Sequence, residues 1–355
     1  MPKIITLPGL IDIHTHLREP GAIQKEDFET GTKAAIAGGY TIILDMPNNP
    51  IATISPETLQ QKMDLAKGRI YTDVGFHFGG SPKSIQYFDQ IKDKVFGLKV
   101  YMNPTTGDLL MENDTVLEEV FKNWPKNKPL LVHAEGETLE KAINLTRKYG
   151  NKLHVCHVSL KKEIELIKQA RKDGMTISCE VTAHHLFLTE EDVKKLGPFG
   201  MMKPPLASKG DQTALWQAIS EEVVDIIASD HAPHTKEEKL NSGKPVNGVP
   251  GLETTLPLLL TAVNERKLTI ERLIELTSTN PRKIFNIPEQ ANTFTEIEIT
   301  KPYTLDARPL YTKCGWTPFA GMKVTGKVKE VVLRGKLVYD GQNIFGPYGE
   351  VYGAG

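Results

Sequence analysis

Two histidines stand two residues apart near the N-terminus, in the stretch IDIHTHLREPG of residues 11–21. In an extended strand the side chains at i, i+2 and i+4 point the same way, so His14, His16 and Arg18 would share one side. Imidazoles can bind a metal ion, and a guanidinium can bind an anion. For this stretch by itself, the alternative is a solvated strand end with incidental histidines.

Further residues capable of chemistry follow apolar runs along the chain. Lys99 lies in GLKVY, His133 in LVHAE, His157 in VCHVS and Asp230 in ASDHAPH. Each residue alone has a simpler explanation, as a hydrogen-bonded core histidine or a lysine with a buried stem. Together, on several strands, they predict one site, whose imidazoles and carboxylate suit two Zn²⁺ ions better than Mg²⁺ or Ca²⁺.

Lys99 needs a separate explanation, because an ammonium next to two metal cations is strongly disfavoured. A deprotonated lysine amine reacts with CO2 to give a carbamate, an anion with two oxygens. Such a group can bridge two metals. We therefore expect a CO2-derived carbamate on Lys99.

The elements that would position these residues alternate between short apolar runs and amphipathic stretches, which is typical of strand–helix units around a parallel sheet. Eight strand candidates begin at residues 10, 41, 73, 95, 129, 153, 176 and 223. Several of the intervening helix candidates end in glycine, the common left-handed stop. The pattern predicts an α/β fold, a (β/α)8 TIM-like barrel over 10–290 whose strand ends converge on one mouth.

The two ends of the chain have a different residue pattern, which is typical of antiparallel strands. After two more helix candidates, TEIEIT at 295–300 and GKVKEVVLRGKLVYDGQ at 326–342 are typical of β-hairpins, with Asp340 and Gly341 at a turn. Together with KIITL at 3–7 they predict a small β appendage. Residues 1–9 and 291–355 would form this appendage and a C-terminal extension packed on the barrel.

Composition limits the possible partners. The 355 residues carry 43 Lys and Arg against 44 Asp and Glu, so no overall charge favours nucleic acid or an anionic membrane. Three scattered cysteines do not make a disulfide framework, and no apolar stretch reaches spanning length. The N-terminus lacks the layout of a signal peptide. We expect a cytoplasmic protein with a small-molecule substrate and without nucleic-acid or membrane partners.

The set DIHTHLREPG, DMPN, GLKVY, VHAE, CHVS and SDHAPH resembles the amidohydrolase superfamily with a carboxylated-lysine binuclear site, and within it the dihydroorotases. GLETTLPLLLTAV and WTPFAGMKVTGKV add a similarity to the dihydroorotase domain of the animal multifunctional pyrimidine-synthesis protein. The resemblance covers nearly the whole chain. It implies a zinc-dependent, reversible cyclisation of N-carbamoyl-L-aspartate to L-dihydroorotate in pyrimidine biosynthesis.

The resemblance also implies roles for the strand-end residues. One zinc would be held by His14, His16, Lys99 and Asp230, and the other by Lys99, His133 and His157. Asp230 would act in catalysis as a base and then as an acid. Cys156 and Glu180 match positions of a third zinc site, although strand alternation would turn Cys156 away from the side of its neighbour His157. A small buried thiol is the alternative for Cys156.

Substrate contacts follow from the same resemblance. The matching residues are Arg18, Asn48, His234, Lys203 and Asn247. The Arg18 guanidinium would bind the substrate carboxylate through two hydrogen bonds, whereas Lys203, which replaces an arginine, offers only a point charge. Thr105 and Thr106 in YMNPTTGDLL would belong to a lid, with Thr106 in place of an aromatic residue; an ordinary surface loop is the alternative.

Two rival functions remain open. An allantoinase or hydantoinase would use the same metals on a different ring, but a neutral ring offers nothing for the charge of Arg18. An inactive homologue kept as a scaffold in a larger assembly would have lost a metal ligand, and all the matching ligands are present. For assembly we expect a homodimer, either of free chains or within a multifunctional pyrimidine-synthesis polypeptide.

Overall fold

The computed structural model describes residues 3–241, 243, 246–305 and 310–353. In chain order its strands are β1 (Lys3–Pro8), β2 (Leu10–Thr15), β3 (Tyr40–Asp45), β4 (Asp73–Phe76), β5 (Phe78–Gly79), β6 (Leu98–Tyr101), β7 (Pro129–His133), β8 (Lys152–Val155), β9 (Ile177–Thr182), β10 (Ile226–Ala228), β11 (Phe294–Ile299), β12 (Tyr303–Thr304), β13 (Lys323–Val324), β14 (Lys327–Leu333) and β15 (Lys336–Tyr339). They fall into a parallel ring and a separate antiparallel sheet.

The ring consists of β2 to β10, with strands in sequence order around it. β2, β3 and β4 pair in parallel, and each strand from β5 to β9 pairs in parallel with the next, up to β10. β4 and β5 share one position, because the predicted strand over 73–80 is interrupted at His77. Thr15 bridges His231, and the His16 N–H donates to the His231 carbonyl at 2.8 Å, which closes the ring. The predicted (β/α)8 barrel is confirmed.

Helices surround this barrel. They are α1 (Phe28–Ala37), α2 (Pro56–Ala66), α3 (Phe88–Ile91), α4 (Asp114–Asn123), α5 (Glu137–Tyr149), α6 (Lys161–Lys172), α7 (Ala183–Phe187), α8 (Glu190–Leu196), α9 (Lys209–Ser220), α10 (Lys236–Asn241), α11 (Leu252–Asn264), α12 (Ile270–Ile274) and α13 (Asn280–Phe285). Side chains of Asp27, Ser55 and Asn113 accept backbone N–H groups at the starts of α1, α2 and α4. α5 ends at a left-handed Gly150, as the glycine pattern predicted.

Alternation along the strands decides which side chains face the barrel interior. In β6, Leu98 and Val100 join the large buried cluster that includes helix residues, so Lys99 and Tyr101 face the other way. In β7 the same argument turns His133 inward. The apolar packing between strands and helices therefore orients the polar groups at the centre.

The two chain ends form the antiparallel sheet, in the order β1, β11, β14, β15. The predicted β appendage is thus confirmed. Its hairpin between β14 and β15 turns at Arg334 and Gly335, whose φ values of 49° and 76° suit a tight hairpin turn. Asp340 and Gly341 form a turn just after β15, where Asp340 Oδ1 accepts the N–H of Asn343 at 2.7 Å.

Domain limits at 10 and 290 stay a prediction. The C-terminal extension returns to the barrel, where the Glu350 N–H donates to Asp73 Oδ1 at 2.8 Å and Val351 bridges Val74. Within the described ranges, no helix has both the length and the apolar character needed to cross a membrane.

Candidate metal centre and substrate pocket

A cavity opens at the carboxyl ends of the barrel strands. It is lined by His14, His16, Arg18, Asn48, Lys99, Tyr101, Thr105, Thr106, His133, His157, Lys203, Asp230, Ala232, Asn247 and Gly248. Most of the predicted site residues, which are far apart in sequence, therefore share one cavity. Three of them, Cys156, Glu180 and His234, lie behind its wall and contact residues that line it.

One group of buried donors surrounds Asp230. Its Oδ1 lies 3.4 Å from His14 Nε2 and 3.1 Å from His16 Nε2, and donor atoms of the three residues all fall within 4.8 Å of one another. Burial lowers the pKa of His16 to about 4, which keeps its imidazole neutral. Neutral imidazoles and a carboxylate are the donors that zinc prefers.

A second group lies beside the first, since the ring centroids of His14 and His157 are 5.3 Å apart. His133 Nδ1 and His157 Nε2 are 2.9 Å apart, and both side chains are buried. Burial lowers the pKa of His157 well below its ordinary value, and the nearby His133 and Lys99 lower it further. In the part of the chain that the structure describes, His157 Nδ1 has no hydrogen-bond partner. These two imidazoles fit the second half of a two-metal site.

Lys99 lines the same cavity and is fully buried, and its charge would lower the pKa of His14 in one group and of His133 and His157 in the other. Its Nζ lies 2.9 Å from Cys156 Sγ and 5.3 Å from the centre of the Tyr101 ring. Among the described residues, no carboxylate forms an ion pair with it. An ammonium here would be desolvated and, once metal ions were bound, would lie beside two further cations, which is costly.

Cys156 does not point away from the centre, so the expectation from strand alternation was wrong. β8 ends at Val155, and His157 has a φ of 35°, so the chain is no longer extended where the alternation was applied. Donor atoms of Cys156, His14 and Glu180 consequently lie within 4.8 Å of one another, all buried.

Two buried carboxylates determine the charge of His14. Burial opposes its charged form, but Glu180 and Asp230 raise the pKa of His14 to about 10. Glu180 contacts His14 Nδ1, and its other oxygen lies 3.1 Å from His154 Nε2. The carboxylates thus require a positive charge at this point, and a divalent metal ion can replace the proton on His14. The donor set fits a metal.

Comparison with known proteins identifies the family. Residues 5–338 match the family model described as "Amidohydrolase family". The chain belongs to the amidohydrolase family. This family is metal-dependent, which agrees with the donor groups in the cavity.

Relatives of this amidohydrolase include both large and small proteins. It is 45% identical over 353 residues to "Multifunctional protein CAD" of Squalus acanthias, covering 98% of this chain and 16% of that protein. It is 44% identical to "Multifunctional protein pyr1-3" of Dictyostelium discoideum, and the match covers 96% of this chain and 15% of that protein. A "Dihydroorotase" of Pyrococcus furiosus is 37% identical, with 98% and 84% covered. The chain thus spans about one sixth of the first two relatives.

Solved structures share the fold of this amidohydrolase. An L-hydantoinase (dihydropyrimidinase) from Arthrobacter aurescens has a TM-score of 0.93 at 26% identity, covering 98% of this chain and 89% of that one. An inactive dihydroorotase-like domain of a Chaetomium thermophilum CAD-like multifunctional protein has a TM-score of 0.84 at 26% identity, and the match covers 98% of this chain and 99% of that one. Fold similarity therefore does not distinguish a hydantoinase from a dihydroorotase or from an inactive domain. The side chains in the cavity must distinguish them.

Arg18 is the main cationic feature of the substrate side of the cavity. Its Nε donates to the Pro233 carbonyl at 3.1 Å, and its Nη2 lies 3.2 Å from His234 Nε2. Within the described ranges, no carboxylate lies at ion-pair distance from this buried guanidinium. His234 Nε2 also lies 3.0 Å from the Asn247 carbonyl, so these predicted substrate contacts are joined. The Lys203 side chain is exposed at the cavity rim.

The predicted lid residues lie over Asn48. Its Nδ2 donates to the Thr106 carbonyl at 2.9 Å, and its Oδ1 lies 2.8 Å from His16 Nδ1. Asn48 therefore connects a metal-donor histidine to the loop that carries Thr105 and Thr106.

Sequence reasoning missed Tyr101 and Gly248. Tyr101 lies two residues after Lys99 on β6, so it faces the same side, and this spacing could have identified it. Its buried hydroxyl has no hydrogen-bond partner among the described residues. Gly248 brings its backbone so close to Ala232 that a Cβ would lie 2.5 Å from the Ala232 carbonyl oxygen. No sequence signal indicated that approach.

Proposed function

We propose that this chain is a zinc-dependent dihydroorotase, which reversibly cyclises N-carbamoyl-L-aspartate to L-dihydroorotate in pyrimidine biosynthesis. The observation that carries this proposal is the buried guanidinium of Arg18 in the metal-donor cavity, without a carboxylate partner among the described residues. A carboxylated substrate would supply that partner. The identity to a stand-alone dihydroorotase, at 37%, supports the same substrate class.

The metal ligands are assigned from the two donor groups. His14, His16 and Asp230 would hold one zinc, His133 and His157 would hold the other, and Lys99 would contribute to both. When bound, the zinc ions supply Lewis-acid polarisation of an amide carbonyl and lower the pKa of water.

Lys99 would be carboxylated. The neutral amine of Lys99 forms an N–C bond to the carbon of CO2 and loses one proton, which leaves a carbamate anion. The full burial of Nζ without a carboxylate partner in the described residues supports this modification, because two bound metal ions would repel an ammonium at this point. A carbamate on Lys99 would instead supply an anionic ligand to the metal site.

Asp230 would move the proton during the reaction. In ring opening, its carboxylate accepts a proton from the attacking water, and the resulting acid donates that proton to the leaving amide nitrogen. Ring closure uses the reverse order. His14 and the nearby His16 lower the pKa of Asp230, so its carboxylate is ionised before the reaction begins, although burial opposes this.

Substrate would be oriented by its free carboxylate. Arg18, Asn48 and His234 would bind this group, with Asn247 and Lys203 at the margin of the cavity. Thr105 and Thr106 would close over the bound ring and exclude water, since Thr106 already contacts Asn48.

An additional zinc at Cys156, Glu180 and His14 is also proposed. The proximity of the three donor groups within 4.8 Å supports it. Metal analysis of a Cys156→Ala variant separates the possibilities, because loss of one equivalent of zinc supports this site and unchanged content indicates a buried thiol.

For assembly we propose a homodimer within or outside a larger polypeptide and a cytoplasmic location. The small share of the two multifunctional relatives that the chain covers supports the larger context. Light scattering of the purified chain would test the dimer, with a monomer mass as the contrary result.

The function is tested by metal analysis together with formation of dihydroorotate from N-carbamoyl-L-aspartate. We expect at least two zinc ions per chain and turnover in both directions. A zinc-loaded chain without turnover would instead fit an inactive homologue, such as the Chaetomium thermophilum domain.

A further inference from the structure

Lys62 in α2 places an ammonium inside the protein. Its side chain is fully buried, and its Nζ lies 2.6 Å from Asp45 Oδ2. The same Nζ donates to the Met46 carbonyl at 2.7 Å and to Asn49 Oδ1 at 2.6 Å. An ammonium has three N–H donors, and three acceptors surround this one. All three belong to the segment 45–49, which carries Asn48.

The partners of this ammonium also hold the segment that carries Arg18. Asp45 Oδ1 accepts the Leu17 N–H at 2.7 Å, and Asn49 Nδ2 donates to the Glu19 carbonyl at 3.1 Å. Leu17 and Glu19 are the direct neighbours of Arg18 in the chain. The backbone on both sides of the guanidinium is therefore connected to the same buried charge.

Arg18 needs such support because its backbone is strained. Its φ of 63° lies in the left-handed region, which is unfavourable for a residue with a side chain. Conformations of this kind persist only where the surroundings determine them. The contacts at Leu17 and Glu19 hold the chain on either side of this position.

Stability alone does not explain the buried pair. A buried ion pair is often no better for stability than apolar residues of similar volume. Burial lowers the pKa of Lys62, and the Asp45 carboxylate acts against that by favouring the charged form. Lys62 does not line the cavity. Its contacts are instead directed to the two loops that carry Arg18 and Asn48.

We infer that Lys62 is a positioning residue for recognition of the substrate carboxylate, acting through Asp45 and Asn49 on Arg18 and Asn48. This inference rests on the proposed function, because it names what holds the proposed carboxylate-binding residues in place. Lys62 itself touches neither substrate nor metal. Its removal should affect substrate binding before it affects chemistry.

The primary test is Lys62→Met, which keeps length and apolar packing but removes the ammonium. We expect the KM for dihydroorotate and for N-carbamoyl-L-aspartate to rise about tenfold or more with kcat within about threefold, since the carboxylate is bound in both ground and transition states. Zinc content should be unchanged. Backbone amides of 15–19, and those of 45–49 other than Pro47, should exchange hydrogen faster, whereas those of β7 should not.

Two further variants keep the test decisive. Lys128→Met removes another buried lysine, at the end of β7 opposite to His133, and should leave KM unchanged. Asn49→Ala keeps the pair between Lys62 and Asp45 but cuts the link to Glu19, and should raise KM by a smaller factor. If Lys62→Met does not fold, the KM of the Asn49→Ala variant alone decides whether the positioning role holds.

The outcomes separate the two proposals. Unchanged KM in the folded Lys62→Met and Asn49→Ala variants would overturn the positioning role, as would a fall in kcat at unchanged KM. If the zinc-loaded chain without any substitution does not turn over dihydroorotate, the proposed function is overturned instead.

Discussion

At the scale of single residues, Arg18 combines a buried guanidinium with a left-handed backbone. Both properties carry a free-energy cost, and among the described residues no carboxylate forms an ion pair with the guanidinium. His157 and Asp230 share the positive φ, at 35° and 44°. Three of the eight described non-glycine residues with a positive φ thus lie at the cavity, and backbone strain of this kind is common at functional sites.

Replacing Arg18 by Met should mainly impair recognition of the substrate. Loss of a buried charge-assisted contact should lower kcat/KM for dihydroorotate about 100-fold or more. Zinc content should not change, because Arg18 is outside both donor groups. Lys203→Ala is the comparison, and its exposed point charge should matter less. Equal losses in the two variants would argue against a special role for the guanidinium.

Asp230→Asn should separate metal binding from proton transfer. The amide keeps one oxygen for coordination but cannot carry the proton, so zinc should largely remain while kcat falls about 100- to 10,000-fold. In the chain without substitutions, the lowered pKa of Asp230 keeps its carboxylate ionised near neutral pH, so hydrolysis should fall only under acidic conditions, whereas synthesis, which must begin with the protonated acid, should rise as pH falls. The same pH dependence in both directions would indicate another proton route.

Lys99→Ala should lose zinc and activity together, because one carbamate would serve both metals. Added short carboxylic acids should restore part of the activity by supplying the missing oxygens. Mass spectrometry of the native chain should also detect the added CO2. Full zinc occupancy with normal turnover in Lys99→Ala would exclude the bridging role.

Residue types, but not all orientations, could be read from the sequence. Histidines, Lys99 and Asp230 at strand ends predicted a shared site, and the residues do line one cavity. The orientation of Cys156 was predicted wrongly, because alternation holds only within a strand and β8 ends at Val155. The contacts of Lys62 depend on the path of two loops, which no local pattern describes.

At the scale of elements, the loops beyond the strands carry most of the substrate side. Gly248 brings the segment of Asn247 against the segment of His234, and a Cβ there would lie 3.3 Å from the His234 ring. The close approach leaves no room for a Cβ, and the φ of 129° at Gly248 is one that residues with a side chain rarely adopt, so both features require glycine. Loop packing, rather than strand geometry, sets this part of the cavity.

Gly248→Ala should therefore move the loop and reduce activity. We expect a lower melting temperature, since a strained position costs about 1–3 kcal/mol. We also expect kcat/KM to fall by about tenfold or more, because misplaced contacts slow the reaction. Gly243 also has a positive φ, of 66°, but a Cβ added there would meet no atom of the described residues within 4 Å, so Gly243→Ala is the comparison. It should affect stability and leave kcat/KM nearly unchanged; equal kcat/KM in both variants would contradict the loop argument.

At the scale of the whole molecule, the barrel and appendage could be predicted because the strand and helix periodicities are regular. The (β/α)8 barrel has structural neighbours with different activities, including a hydantoinase and an inactive dihydroorotase-like domain. Selection of substrate must therefore come from the few side chains that line the cavity, and in the function proposed above Arg18 would distinguish a ring that carries a carboxylate from a neutral one.

The most direct measurement is the ratio of kcat/KM for dihydroorotate to kcat/KM for dihydrouracil, the same ring without the carboxylate, in the zinc-loaded chain. A guanidinium that binds the carboxylate predicts a ratio of about 100 or more, falling toward one in Arg18→Met. A chain that hydrolyses dihydrouracil as well as or better than dihydroorotate would contradict the assignment and would place it with the hydantoinases.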